Sequence, residues 1–208
     1  MPRLNAMPEP HMVQAYGIYV LGSRHRFVRR LRRNFEPSVH GHRAWGSSFL
    51  LMDYLTHHPL RRGTSVLEVG CGWAPAGIFC AKRFGAKVTG LDLDENVFPF
   101  ADILATLNEV EIQTEAKRFE KITAAELGAA KIVIGSDICF WDNLIAPLQQ
   151  LTVRALDAGV ERVIITDPGR PPFLRLANRL AKQHKVKLQD WYAVEPKRYE
   201  GNVLEVTP

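Results

Sequence analysis

Two glycines and two acids stand at spacings suited to holding a nucleoside. Val66-Leu67-Glu68-Val69-Gly70-Cys71-Gly72-Trp73-Ala74 reads as a strand running into a glycine turn that opens a helix, and Asp92 follows Gly72 by 20 residues. Gly70 and Gly72 permit a tight turn and let the backbone around Cys71 approach a ligand. A carboxylate at Asp92, with Leu93 beside it, can accept hydrogen bonds from both hydroxyls of a ribose. Asp94 is better placed to cap the helix that follows. A lone Gly-x-Gly is also consistent with an ordinary turn, and it is the strand before it and the spaced acid after it that favour nucleoside binding.

Glu68 sharpens the ligand class. Its charge, two residues before Gly70, would be unfavourable beside a pyrophosphate and favourable beside the ammonium group of an amino-acid moiety. Ala74 also stands where a dinucleotide fingerprint keeps its third glycine for close helix packing. The Glu-x-Gly-x-Gly order therefore suits S-adenosylmethionine better than NAD. Methyl transfer from a sulfonium is an in-line displacement, so alignment of the acceptor is its main requirement. Asp137, at the end of a later β-branched run, could orient an amine and receive charge as the amine becomes cationic, or it could cap the segment that follows. Asp142 is the better candidate for that cap. Phe140 and Trp141 fit either a core or the stabilisation of a nearby cation, Asp167-Pro168-Gly169 fits either a plain turn or a cleft rim, and Phe119 fits either the core or a stack on adenine.

These residues need a frame, and the rhythm of the chain after Arg62 supplies one. Strands are expected at Ser65–Val69, Lys87–Leu91, Val110–Gln113, Lys131–Gly135 and Glu161–Thr166, with helices at Ala74–Phe84, Asp94–Asn108, Asp142–Ala158 and Pro172–His184. Such alternation implies an α/β, Rossmann-like doubly wound parallel sheet, whose ligands bind beyond the carboxyl ends of the strands. Two final runs, Val186–Val194 and Asn202–Val206, lack a helix between them and read as an antiparallel pair at one edge. That makes about seven strands, mostly parallel. Residues 63–208 form this unit. Residues 1–62 read as a basic helical extension capping it: 1–23 are irregular, one helix spans Ser23 to Phe35 on a Phe27/Val28/Leu31/Phe35 stripe, and a second runs from Ser47 to about His57, capped near Gly46 or Ser47.

With those motifs in place, the chain resembles the class I, seven-β-strand S-adenosylmethionine-dependent methyltransferases. Glu68-Val69-Gly70-Cys71-Gly72 and Asp92 are similar to the family's first two motifs. The resemblance covers roughly residues 40–208. A narrower likeness is to its protein-lysine methyltransferases, including those that modify the electron-transfer flavoprotein β-subunit. Ala44-Trp45-Gly46-Ser47-Ser48 resembles their Trp-containing helix start. Gly135-Ser136-Asp137-Ile138-Cys139-Phe140 resembles their fourth-strand Asp-x-x-Tyr motif, with Phe140 in place of the tyrosine. Arg162–Pro171 resembles their fifth-strand end. The resemblance implies that Trp45 helps cover the cofactor, that Asp137 sits beside the acceptor, and that Asp167 to Arg170 form one rim of the substrate cleft.

Composition narrows partners and compartment. Residues 1–62 hold ten arginines, no lysine and three acids, a net +7, whereas residues 63–208 hold 17 basic and 19 acidic groups, a net −2. The arginine face between residues 24 and 33 suits either solvent or an acidic partner, with a protein favoured over RNA because no RNA-binding module is recognisable. No apolar run is long enough to span a bilayer. The start of the chain lacks a secretory signal, and Cys71, Cys80 and Cys139 lack paired metal spacing, so the expectation is a cytoplasmic protein with reduced thiols. Neither His40/His42 nor His57/His58 joins a cluster with metal-ligand spacing. Ser136–Phe140 lacks the prolines of nucleobase-amine methyltransferases, and no Pro-Cys precedes a nucleophile at Cys139. The alternatives kept open are a small-molecule or RNA N-methyltransferase, or a cofactor-binding protein without transferase activity.

Overall fold

The computed structural model describes residues 9–38 and 40–208, so the expected irregularity of 1–23 is testable only from residue 9. The chain opens on a hairpin, β1 (Met12–Ala15) and β2 (Ile18–Leu21), followed by helices α1 (Arg26–Leu31) and α2 (Gly46–His57). Strand–helix alternation then runs β3 (Ser65–Val69), α3 (Pro75–Phe84), β4 (Lys87–Asp92), α4 (Phe98–Leu107), β5 (Gln113–Ala116), α5 (Ala124–Ala129), β6 (Ile132–Ser136), α6 (Ile145–Asp157), β7 (Arg162–Asp167) and α7 (Pro171–Leu180). The chain closes with β8 (Lys185–Ala193) and β9 (Tyr199–Thr207). The main sheet has seven strands in the order β5-β4-β3-β6-β7-β9-β8, parallel except for β9, which runs antiparallel to both of its neighbours.

Burial explains why the central strands carry almost no polar residues. With helices on both faces, every side chain of β3 from Val66 to Val69 is buried, and the strand alternates between two cores. Val66, Val88, Ile132, Ile134 and Ile164 pack with α2, α3, α4 and the hairpin. Leu67, Leu91, Val133, Val163 and Ile165 pack with α5, α6 and α7. Helix α2 is buried from Ser47 to Leu55, and joins the same core as the hairpin and the sheet. The segment before residue 62 thus supplies one helix of the sheet's own covering layer.

Four sequence expectations shift. The hairpin replaces irregular chain because Tyr16 and Gly17 both take positive φ, 51° and 82°, the two-residue turn whose twist matches paired strands. Helix α1 is six residues long, and of the expected stripe Val28, Leu31 and Phe35 pack on the core while Phe27 is 40% exposed. Strand β5 begins at Gln113, three residues past the expected start, because Val110 and Ile112 fill core space beneath α4, and the chain pairs with Thr89–Asp92 only after them. A further helix, α5, starts on a capping box in which the Thr123 hydroxyl and the Glu126 carboxylate satisfy each other's backbone N–H groups.

Tyr16 ties the front of the chain to its end. Its hydroxyl donates to Asp53 Oδ2 in α2 (2.7 Å) and accepts from the backbone N–H groups of Val194 (2.9 Å) and Glu195 (3.1 Å). Trp191 Nε1 donates to the other oxygen of Asp53 at 3.0 Å. Burial pushes the Tyr16 hydroxyl up to about 12, so it stays a donor throughout the neutral range. Tyr16→Phe should lower stability by about 1–3 kcal/mol, because a buried carboxylate oxygen and two amides lose their partner. Urea unfolding of both proteins measures this, and an unchanged midpoint would remove the lock from the account.

Candidate functional site

At the carboxyl ends of β3, β4 and β6 the chain must turn away from a strand that is buried on both faces, and the glycines make that possible. Gly70 and Gly72 have φ of 62° and 53°, and Ala74 continues the left-handed path at 51° before Pro75 opens α3. A Cβ on Gly70 would stand 2.5 Å from Ile138 Cγ2, and one on Gly135 would stand 2.5 Å from Ile138 Cδ1. Ile138 therefore wedges into space vacated by two glycines, and the loops leaving β3 and β6 close on each other. A Cβ on Gly72 would meet nothing within 4 Å, because this residue faces an open cleft.

That cleft, of about 280 Å³, is where the sequence-derived residues converge. Trp45, Glu68, Gly70, Cys71, Gly72, Asp92, Leu93, Phe119, Ser136, Asp137, Phe140 and Trp141 all line it. Asp92 Oδ2 accepts from the N–H of Gly72 (2.8 Å) and Oδ1 from the N–H of Asp94 (3.1 Å), fastening the second strand's acid to the glycine turn. Asp94 caps the next turn as expected, accepting from the N–H of Asn96 at 3.0 Å. Glu68 is only 2% exposed and its Oε2 accepts from the N–H of Gly77 in α3 at 2.9 Å. Burial pushes its carboxyl up to about 8, against the smaller opposing effect of that amide. Burial also raises the Asp92 carboxyl and drives the Cys71 thiol well up, so the thiol is an apolar wall rather than a nucleophile.

Asp167 lies elsewhere than expected, 0% exposed and off the cleft wall, whereas Arg170 reaches that wall by contacting Asp137 and Phe140. Asp167 Oδ1 accepts from the N–H groups of Gly169 (2.9 Å) and Arg170 (2.8 Å), so the Asp-Pro-Gly turn is held from within. The Arg170 guanidinium lies 3.0 Å from Asp167 Oδ2 and donates to Asp137 Oδ1. The physical reason is charge: two carboxylates at neighbouring strand ends need a cation between them, and Arg170 is drawn inward to supply it. Asp137 itself sits at φ 61°, left-handed backbone that a non-glycine residue adopts only when its surroundings hold it there. Asp142 pairs with Arg175 and does not cap α6.

Other parts of the cleft gave no local sequence signal. Residues 36–38 and 40–44 form a strap along it that leads into Trp45, held at its ends and middle. Trp73 Nε1 donates to the carbonyl of Gly41 (2.9 Å), Trp45 Nε1 donates to that of His40 (2.7 Å), Asp94 accepts from the N–H of Ser38, and Arg32 donates to the carbonyl of His42. His40 then meets three aromatic rings edge-on or tilted, those of Trp45 (5.5 Å), Phe140 (4.7 Å) and Trp141 (6.1 Å). Trp141 is 52% exposed at the mouth, so it belongs to the rim and not to the core. Lys117 and Arg118, after β5, complete the opposite wall.

Backbone geometry makes Gly70 and Gly72 unequal. Gly70→Ala combines left-handed strain with a clash on Ile138 and should cost about 2–5 kcal/mol, whereas Gly72→Ala carries only the strain, about 1–2 kcal/mol. Equal losses in chemical denaturation would contradict the wedge.

No family model matches the chain. Over 78 residues it is 38% identical to the ubiquinone biosynthesis O-methyltransferase of Neisseria meningitidis, a match covering 37% of this chain and 33% of that protein. Over 168 residues it is 26% identical to the human electron transfer flavoprotein beta subunit lysine methyltransferase, covering 77% of this chain and 60% of the relative. The chain thus spans about a third of the first relative's length and under two thirds of the second's. A solved S-adenosylmethionine-dependent methyltransferase from Agrobacterium tumefaciens superposes with a TM-score of 0.66 over 99% of this chain and 72% of that one, at 12% identity. That likeness establishes the fold.

Proposed function

We propose that this chain, which resembles the class I S-adenosylmethionine-dependent methyltransferases in sequence and shares their fold, methylates a protein lysine side chain. The observation that carries the reading is the cleft itself. A glycine turn whose second glycine faces open space, a ribose-type acid tied to that turn, and a further acid on the adjoining strand meet at the switch point of the sheet. The lysine acceptor is supported by the longer of the two sequence matches, which spans 77% of the chain. The ubiquinone biosynthesis relative favours a second reading, a small-molecule acceptor.

The residues present fit S-adenosylmethionine. Gly72 and the adjoining backbone would cradle its amino-acid part, Glu68 would face its ammonium group, Asp92 would take the ribose hydroxyls, and Trp45 and Phe119 would border the adenosine. When bound, the cofactor supplies an electrophilic methyl group. The chain's part is to place the acceptor. Asp137 Oδ2 is left to receive an amine N–H while Oδ1 is held by Arg170, which fixes the carboxylate's direction. The strap and the rings of His40, Phe140 and Trp141 bound the mouth and limit water, and a water molecule there can take the proton that the amine must shed. No helix among the described residues is long and apolar enough to cross a membrane, and the three free cysteines, all buried, suit the reducing cytoplasm.

Methyl-labelled S-adenosylmethionine added to a cell lysate should label a protein band with the parent chain and lose at least about tenfold of that label with Asp137→Ala. Label in a small-molecule fraction instead would favour the second reading, and cofactor binding with no transfer would refute both. Glu68 gives an independent check. With its carboxyl near 8 in the free protein, a cationic ligand must drive off its proton. Affinity should therefore rise with pH up to about 8 and rise no further, as the ligand's own amino group titrates there. Calorimetry in two buffers of different ionisation enthalpy should show proton release below that pH. Glu68→Gln should abolish the release, and an unchanged release would overturn Glu68 as the ammonium partner.

A further inference from the structure

The cofactor cleft does not account for the arginines of α1. Arg29, Arg30 and Arg33 are exposed, and none forms an ion pair among the described residues. Residues 1–8 contain no acid that could serve them. Arg26 is paired with Glu9 at 2.8 Å. This charge is joined to the cleft: Arg32 donates to the carbonyl of His42 in the strap, and the next strap residue, Arg43, lies 3.8 Å over the Trp45 ring on the cleft wall. Exposed arginines thus recur from α1 to the strap, where Glu36 is the one acid between residues 24 and 45.

The cleft differs in balance. Asp92, Asp94, Glu120 and Asp137 border it together with Arg43, Lys117 and Arg118, and Lys117 is already paired with Glu115 and Glu126. Acids are thus in excess in the cleft, whereas arginines are in excess on the approach. A phosphate backbone is negative along its whole length, so it would be drawn to α1 and find fewer partners at the opening. A lysine flanked by glutamates or aspartates matches both zones, with its cation directed into the acid-lined cleft and its flanking carboxylates on the arginine fork donors.

Building on the lysine reading of the cleft, we infer that α1 and the strap are the docking platform for the substrate protein, and that the platform selects a lysine set in an acidic segment. Arg29, Arg30 and Arg33 hold the flanking carboxylates. None of the three borders the cleft, so they set affinity and choice of substrate and leave the cofactor site unchanged.

The test compares short peptides with one central lysine, flanked either by glutamates or by serines, by fluorescence anisotropy against the full chain saturated with S-adenosylhomocysteine. The glutamate peptide should bind about tenfold or more tightly than the serine peptide, with the difference shrinking at high salt. The variant R29S/R30S/R33S should erase the difference, and the charge-preserving R29K/R30K/R33K should keep most of it. A second neutralisation at the other end of the sheet, R62S/K87S/K131S, removes the same charge from exposed side chains at the amino ends of the strands and should leave the preference intact. Equal affinity for the two peptides, equal loss in both serine variants, or tighter binding of a single-stranded RNA oligonucleotide of matched charge would each overturn the platform. Calorimetry with S-adenosylhomocysteine alone separates the two levels. A chain that does not bind it refutes the proposed activity, whereas one that binds it yet shows no peptide preference refutes only the docking surface.

Discussion

The close approach of two loops governs this molecule. β3 and β6 are neighbours in the sheet, and the chain leaving each must turn in opposite directions to reach α3 and α6, so the crevice between the turns is fixed by topology. What sets its width is Ile138, seated where Gly70 and Gly135 have no side chains. That single packing contact holds the glycine turn against the fourth-strand loop. It also leaves Asp137, the residue before it, in left-handed backbone, so that its carboxylate is directed by the loop and not by free rotation of the chain. Asp92 then braces the turn from the other side through the Gly72 amide.

A second constraint follows from placing acids at the ends of buried strands. Each carboxylate there loses water, and an unpaired buried charge costs several kcal/mol. The chain answers in three ways. Glu68 gives up its charge, remaining largely protonated near neutral pH until a cation arrives. Asp92 keeps two backbone amides as donors. Asp137 and Asp167 share Arg170. The two acids assigned to the cofactor are thus the ones that hold no side-chain cation, which leaves them open to a ligand that brings its own.

What could be read in the sequence depended on how far each signal reached along the chain. Ser65–Val69 and Gly70–Gly72 were legible because a buried parallel strand and a glycine turn are written in consecutive residues, and Asp92 because a strand–helix–strand unit has a nearly fixed length. The Thr123–Glu126 capping box is equally local and was available to be read. The hairpin was hidden by Tyr16, a residue rarely found at positive φ, which is held there by Asp53 and Glu195 from distant parts of the chain. His40 and the strap residues before Trp45 had no pattern of their own, since their role arises only when His40 meets Phe140 and Trp141. Asp167 and Arg170 were expected on the rim because a strand end usually faces the ligand. Electrostatics buried Asp167 and drew Arg170 onto Asp137 instead, and no spacing rule encodes which of several nearby acids an arginine will choose.

That pairing bears on the missing hydroxyl at Phe140. On the reading proposed above, a tyrosine there would have offered the acceptor amine a hydrogen-bond partner, and phenylalanine offers only a ring face. Orientation then falls to Asp137, whose Oδ1 is already occupied. The occupant matters for the chemistry as well as for the geometry. An amine must be neutral to attack, and a lone carboxylate would stabilise its protonated form. With the Arg170 cation on the same carboxylate, that stabilisation is weakened, because a nearby like charge disfavours the ammonium. Asp167, buried beneath and holding Arg170 by backbone and side chain alike, keeps the cation in place. On that reading the pair would stand in for the absent hydroxyl by a different route, fixing where the amine can sit while lowering the cost of its losing a proton.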